Sequence, residues 1–97
     1  MTEKKDENVV FIGNKPFMTY VTSVVIQFTT KNKKEVVIKA RGKFINRAVD
    51  VAEVARKKFL QNQEISIKDI KIDSEEFENE EGRRINVSTI EITLSRK

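Results

Sequence analysis

The spacing of apolar residues along the chain predicts strands and helices that alternate before a final pair of strands. Short apolar runs at residues 8–12 and 35–40 are typical of buried strands. Residues 16–30 and 44–60 carry apolar side chains at intervals of three and four, which predicts helices. Apolar-rich stretches at residues 65–72 and 85–94 predict the last two strands. The predicted order is therefore βαβαββ.

The last two strands are expected to form a long, irregular hairpin. Alternation of apolar and polar residues shifts between Ile67 and Ile70, and again between Val87 and Ile90, so a bulge or twist is expected in each strand. Residues 73–84 are expected to provide the extended arms and the tip, with Gly82 in the turn.

This order predicts an α/β fold, a two-layer α/β sandwich whose mixed sheet has two helices mainly on one face and a long C-terminal β-hairpin. Right-handed crossover makes the first two strands parallel, so the loops after them open at one edge of the sheet. Both loops are basic and contain glycine: residues 12–16 read IGNKP and residues 39–43 read KARGK. Cations beside helix N-terminal amides are suited to phosphate, so the two loops predict one binding surface.

Charge along the chain is distributed unevenly. The formal net charge is +4, but residues 9–58 contain eleven Lys or Arg against three Asp or Glu, whereas residues 59–81 contain two against eight. This distribution predicts a cationic side that attracts polyanions and a separate acidic feature. Ordinary solvated charge is the alternative, because 35% charged residues also suits a heat-adapted domain.

The length of 97 residues fits a single domain, which we expect at residues 8–97 after a mobile tail of residues 1–7. The chain has no Cys and no His, which excludes disulfides, ordinary zinc sites and imidazole catalysis. We therefore expect no cofactor, no bound metal and no catalytic residue. The polar opening stretch is unlike a signal peptide and no apolar run approaches a membrane span, so an intracellular, non-membrane protein is expected.

Three stretches resemble the Alba family of small dimeric nucleic-acid-binding chromatin proteins: NVVFIGNKP at residues 8–16, VIKARGK at residues 37–43 and NVSTIEI at residues 86–92. Residues 48–50 of the second helix extend the similarity, which covers most of the chain. The resemblance implies a fold similar to the C-terminal domain of translation initiation factor three, and a homodimer. It also implies a non-enzymatic protein of the cytoplasm that binds double-stranded DNA and RNA without marked sequence preference and coats and compacts the chromosome.

The resemblance also implies which residues bind nucleic acid. They are Asn14 and Lys15 in the first loop, Arg41 and Lys43 in the second, Arg47 on the second helix, and Arg83 and Arg84 in the hairpin. Lys15 is the first choice and a candidate for acetylation, with a deacetylase as an implied partner. Asn14 departs from the family pattern of two adjacent lysines, which puts that regulation in doubt. Asn14 itself donates a hydrogen bond to phosphate without a charge.

The sequence allows two interpretations of several residues. The resemblance places Phe59 at a contact between dimers on nucleic acid, whereas its spacing from Ala55 predicts a core residue. Arg83 and Arg84 either contact phosphate or only neutralise the hairpin glutamates, and those glutamates are expected to shorten the footprint. Phe11, Tyr20 and Phe28 are expected to pack in the core or on a helix face.

Two other functions remain as alternatives. The first is a mainly RNA-binding protein or a subunit of a ribonucleoprotein, because the same fold and loops suit both duplexes. The second is a metal-dependent enzyme that uses the carboxylates of residues 73–81. A solvated acidic arm explains those carboxylates more simply.

Overall fold

A computed structural model describes residues 8–97, so the predicted tail at residues 1–7 lies outside the described residues. The elements are β1 (Val9–Phe11), α1 (Phe17–Thr29), β2 (Glu35–Arg41), α2 (Ile45–Val54), β3 (Ile65–Glu78) and β4 (Arg84–Arg96). The predicted βαβαββ order is confirmed. No helix in this part of the chain is long and apolar enough to cross a membrane.

The four strands form one mixed sheet in the order β1-β2-β4-β3. β1 is parallel to β2, and β4 is antiparallel to both of its neighbours. Val10 pairs with Ile38 and Ile38 with Ile92, and all three side chains are buried beneath the helices. The helices cover this face of the sheet only, so the predicted two-layer α/β sandwich is confirmed.

The core lies between the helices and the covered face of the sheet. It includes Tyr20 and Phe28 of α1, as the sequence predicts. Phe11 contradicts its prediction, because its side chain is 64% exposed on the opposite, open face of the sheet. Side chains of a strand alternate between faces, so burial of Val10 directs Phe11 away from the helices.

The second helix ends in a feature that its apolar spacing does not reveal. After α2, residues Ala55–Phe59 form a π-helical turn, in which each turn contains an additional residue. Leu60, five residues after the buried Ala55, therefore occupies the core position and is 1% exposed. Phe59 is 52% exposed, so the interpretation of Phe59 as a core residue is wrong.

The expected bulge is present in β3 and absent from β4. The register shifts between Ile67 and Asp69, which confirms the first predicted bulge. β4 pairs without interruption from Arg84 to Thr93, so a bulge between Val87 and Ile90, one of the two predicted irregularities, is wrong. The apolar residues of β4 instead change face, with Val87 on the open side and Ile90 on the helix side.

The β3–β4 hairpin projects well beyond the rest of the sheet. Toward the hairpin tip, the pairing between β2 and β4 ends at Arg41 and Thr89. The pairing between β3 and β4 continues beyond this point to Arg84. Gly82 has a φ of +80° at the tip, which confirms its predicted place in the turn. The molecule is accordingly elongated, with extents of 50 × 31 × 23 Å.

Candidate nucleic-acid interface

The first basic loop, residues 12–16, is shaped by a tyrosine on the helix that follows it. The buried Tyr20 hydroxyl oxygen accepts hydrogen bonds from the backbone N–H groups of Gly13 and Lys15, each at 2.9 Å. A Cβ at position 13 would lie 3.3 Å from that oxygen, which is a tight approach. The loop is thus folded around Tyr20, and the side chains of Asn14 and Lys15 project into solvent.

Tyr20→Phe tests this arrangement. The change leaves two partly buried N–H groups without their acceptor, so the free energy of unfolding should fall by about 1–3 kcal/mol. Thermal melting then shifts down by roughly 4–20 °C for a domain of this size. Ser23→Ala is the matched control, because the Ser23 hydroxyl donates only to the Thr19 carbonyl at an exposed site. Equal melting temperatures for the two variants would contradict the role given to Tyr20.

The second basic loop turns sharply at Gly42. Its φ of +60° is left-handed, and residues Gly42–Phe44 form a 3₁₀ turn that leads into α2. Arg41 and Lys43 flank the glycine and are exposed. The ammonium of Lys43 lies 5.5 Å from the ring centre of Phe44, a cation–π contact that leaves the charge open to solvent.

A direct hydrogen bond joins the first loop to the second helix. Arg47 of α2 donates from Nη1 to the backbone carbonyl of Lys15 at 2.8 Å. This contact confirms that the two loops lie at one edge of the sheet. Arg47 is half-buried and holds the first loop through this bond, and its other N–H groups are available to a second acceptor.

Both helices that follow the basic loops begin without a side-chain cap. Neither α1 nor α2 has a capping hydrogen bond from a side chain, and neither has an acidic residue in its first turn. The first amides of a helix lack partners within it and carry a partial positive charge. Two of these amides are already engaged, because Thr19 donates to the Pro16 carbonyl and Ile45 to the Gly42 carbonyl. An anion at this edge would meet the other N-terminal amides together with side-chain cations.

The cations of the two loops differ in how far they are engaged. Lys15 and Lys43 have no carboxylate partner within residues 8–97. Arg41, in contrast, forms a 2.8 Å ion pair with Glu75 of the hairpin, and both side chains are 57% exposed. The bond to Glu75 uses one N–H group of the guanidinium, so the other N–H groups of Arg41 are open to a further acceptor.

The two hairpin arginines have different surroundings. Arg84 pairs with Glu76 at 3.2 Å across the strands, which is the contact that the neutralising interpretation predicts. The Arg83 backbone closes the tip by donating to the Asn79 side chain, and its guanidinium meets no acidic side chain among the described residues. Arg83 is thus the hairpin cation with its charge available.

The basic run at the end of the second helix is internally paired. Arg56 and Lys57 both contact Glu53, at 2.9 and 3.2 Å. The hydrogen bond from Arg56 lowers the pKa of the Glu53 carboxyl; burial opposes this effect, and a hydrogen bond from Lys57 adds to it. This cluster is a helix-surface ion network and lies outside the loop edge.

The hairpin carboxylates do not converge on one point. Within residues 8–97 no three acidic side chains come close enough together to hold a metal ion. Cross-strand pairing and alternation spread them along both faces of the hairpin.

Two contacts at this edge escape sequence reasoning. Tyr20 was expected only to pack, and the one signal for its second role is its position one helical turn after Pro16. Glu75 is 34 residues from Arg41 along the chain, and nothing in the local sequence indicates their ion pair.

Comparison with known proteins adds an independent line of observation. A model of the Alba family matches residues 8–74 of this chain. The DNA/RNA-binding protein Alba of Methanococcus maripaludis is 49% identical over 88 residues, covering 91% of this chain and 97% of that protein. The DNA/RNA-binding protein Alba 1 of Archaeoglobus fulgidus is 54% identical over 91 residues, covering 94% and 98%.

Solved structures agree with these sequence matches. The structure of Alba from Thermoplasma volcanium has a TM-score of 0.81 and 49% identity, and the match covers 92% of this chain and all of that one. ALBA1 from Trypanosoma brucei has a TM-score of 0.66 at 26% identity, over 93% of this chain and 69% of that one.

Proposed function

The chain belongs to the Alba family, and from that premise we propose that it binds double-stranded DNA and RNA without enzymatic activity and largely independently of sequence. Residues 8–97 form the single nucleic-acid-binding domain. A homodimer coats and compacts chromosomal DNA, which makes the protein a chromosome-associated protein of the cytoplasm.

The observation that carries this proposal is the junction of the two basic loops. The hydrogen bond between Arg47 and the Lys15 carbonyl keeps the first loop against the start of the second helix. Lys15 and Lys43, both without an acidic partner in the described part of the chain, then flank two uncapped helix N-termini. Such a surface presents positive charge and backbone N–H groups together, which suits contacts to a phosphate backbone, and these contacts do not depend on sequence.

The remaining proposed contacts surround this junction. Asn14 donates to phosphate beside Lys15, and Arg41 donates to phosphate from the N–H groups that its hydrogen bond to Glu75 leaves free. Arg83 at the hairpin tip reaches further along the duplex, and Arg84 contributes only when it leaves Glu76. Acetylation of Lys15, reversed by a deacetylase, would remove one of the two unpaired loop lysines.

An apolar trough between α2 and β3 is the proposed dimer surface. Ile67, Ile70 and Ile72 of β3 pair with buried residues of β4 and so face the helix side, yet they are 38%, 54% and 75% exposed. Val49 of α2 is 40% exposed. Arg47, two residues earlier, faces the first loop, and two residues correspond to a rotation of about 200° around the helix axis. Val49 therefore borders the β3 side, and a second copy would cover this trough.

Phe59 extends the proposal to neighbouring dimers. Its ring is exposed at the end of the π-helical turn, next to the paired cations of the helix end. An exposed ring at this position is suited to a contact between dimers that lie side by side on nucleic acid.

Salt dependence tests the proposed function. If a dimer engages about five phosphates, affinity for duplex DNA should fall roughly 10²- to 10³-fold between about 50 and 200 mM salt. Fluorescence anisotropy of one labelled duplex, measured as DNA and as RNA across a salt series, gives the slope and the preference together. A slope near zero on both duplexes would contradict backbone binding. RNA binding that outcompetes DNA at every salt concentration would favour the ribonucleoprotein alternative.

A further inference from the structure

The open face of the sheet contains a cavity that borders the second basic loop. The cavity has a volume of about 420 Å³ and lies against the ends of β1 and β2. Its side chains include Phe11, Lys39, Arg41, Glu75, Thr89 and Glu91. Arg41 also belongs to the proposed duplex-binding edge, so the cavity and that edge are continuous.

Phe11 forms an aromatic wall with no packing role in the core. Val10 is the residue of β1 that packs against the helices, and Ile12 is buried just after the strand. The Phe11 ring, in contrast, is 64% exposed. The Lys39 ammonium lies 5.7 Å from the centre of the ring. Exposed aromatic rings on sheet faces provide flat surfaces on which bases stack.

The charges of the cavity wall are paired with one another. Arg41 meets Glu75 at 2.8 Å, and Lys39 meets Glu91 at 3.7 Å. The wall therefore presents donors and acceptors with little net charge, which is a poor setting for phosphate. An uncharged planar ring with donors and acceptors along its edges fits these groups, and a nucleobase has this chemistry.

We propose that this cavity binds one unpaired nucleobase, stacked on Phe11 with its edge toward the Lys39–Glu91 and Arg41–Glu75 pairs. The base belongs to a nucleic acid whose flanking duplex lies on the loop edge, so the inference rests on the proposed function. The protein then prefers duplexes that contain a bulged or flipped-out base over fully paired duplexes.

The test compares two matched duplexes that differ by a single bulged base, each made as RNA and as DNA. Stacking of one base should make the wild-type protein bind the bulged duplex about 5- to 100-fold more tightly than the paired one. Phe11→Ala should abolish this ratio and leave affinity for the paired duplex within about twofold, since the substitution keeps every cation of the loop edge. Comparing the RNA duplexes with the DNA duplexes shows whether the cavity binds an unpaired base of RNA, of DNA or of both.

Two further variants make the result specific. Phe77→Ala removes another exposed ring of the open face, which is 46% exposed and lies on the hairpin outside the cavity, and it should keep the wild-type ratio. Phe11→Trp should also keep it. Because the chain has no Trp, the new indole is a unique fluorophore, and the bulged duplex should shift its emission more than the paired duplex does.

The inference and the proposed function fail in different ways. Binding to paired duplexes with no preference for the bulge, or a preference that survives Phe11→Ala, would overturn the base site alone. A preference lost in Phe77→Ala would assign the base to the hairpin and overturn it equally. Absence of binding to any duplex would overturn the proposed function itself.

Discussion

Lys15→Glu should weaken duplex binding about 100-fold at roughly 100 mM salt. The slope of log affinity against log salt concentration should become less negative by about 2. Each protomer of a dimer loses one phosphate contact and gains a repulsive carboxylate at the tip of the first loop. The side chain is exposed and has no acidic partner among the described residues, so the fold loses nothing. The Tyr20 hydroxyl holds the loop through the backbone N–H of Lys15, which the substitution keeps. Anisotropy titrations across a salt series measure both quantities.

Lys31→Glu is the matched control for this charge reversal. Lys31 is exposed in the turn between α1 and β2, at the opposite end of β2 from the loop edge. The two variants have the same net charge, so a general electrostatic effect weakens both. Equal losses of affinity in both variants, or an unchanged slope in Lys15→Glu, would contradict phosphate binding by the first loop.

Ile72→Glu should convert the proposed dimer to monomers and lower affinity for a duplex by about 10²-fold or more, because one protomer then binds without the second. Ile72 is 75% exposed in a single chain, so the substitution disturbs no core packing. In a dimer through the apolar trough, the carboxylate is desolvated against apolar side chains, which is strongly unfavourable. Sedimentation equilibrium over a range of concentrations measures the mass, and the same duplex titration measures the loss of affinity.

Ile26→Glu makes the same change on an outer position of α1, which is 38% exposed and lies outside the apolar trough. This variant should remain a dimer with wild-type binding. A dimeric Ile72→Glu protein would refute the trough as the interface. A monomeric one that binds duplexes as tightly as wild type would refute the role of the dimer in affinity.

Periodicity was sufficient to predict the order of elements because each helix and strand buries one face against the same core. The pattern at residues 44–60 predicted the combined extent of α2 and the π-helical turn, and the first shift of alternation predicted the bulge beside Ile67. The loop edge followed from topology, since parallel strands joined by right-handed crossovers end at the same side of a sheet.

The failures have local physical causes. A π-helical turn adds one residue to the helical repeat, and the spacing of apolar residues does not predict it. As a result Leu60 is buried at the position expected for Phe59, and Phe59 is exposed. A three-residue strand is too short to show alternation, so the run Val9–Phe11 looked buried on both sides. The Arg41–Glu75 pair depends on how far the hairpin twists back over β2, a property of the assembled sheet.

Strand order also constrains when this protein folds during its synthesis. β4 is the last strand of the sheet to be made, yet it lies between β2 and β3. Until β4 leaves the ribosome, β2 can pair only with the three residues of β1, and β3 has no neighbour in the described sheet. The helices therefore have no complete surface on which to pack, and the sheet closes only after translation has passed residue 96.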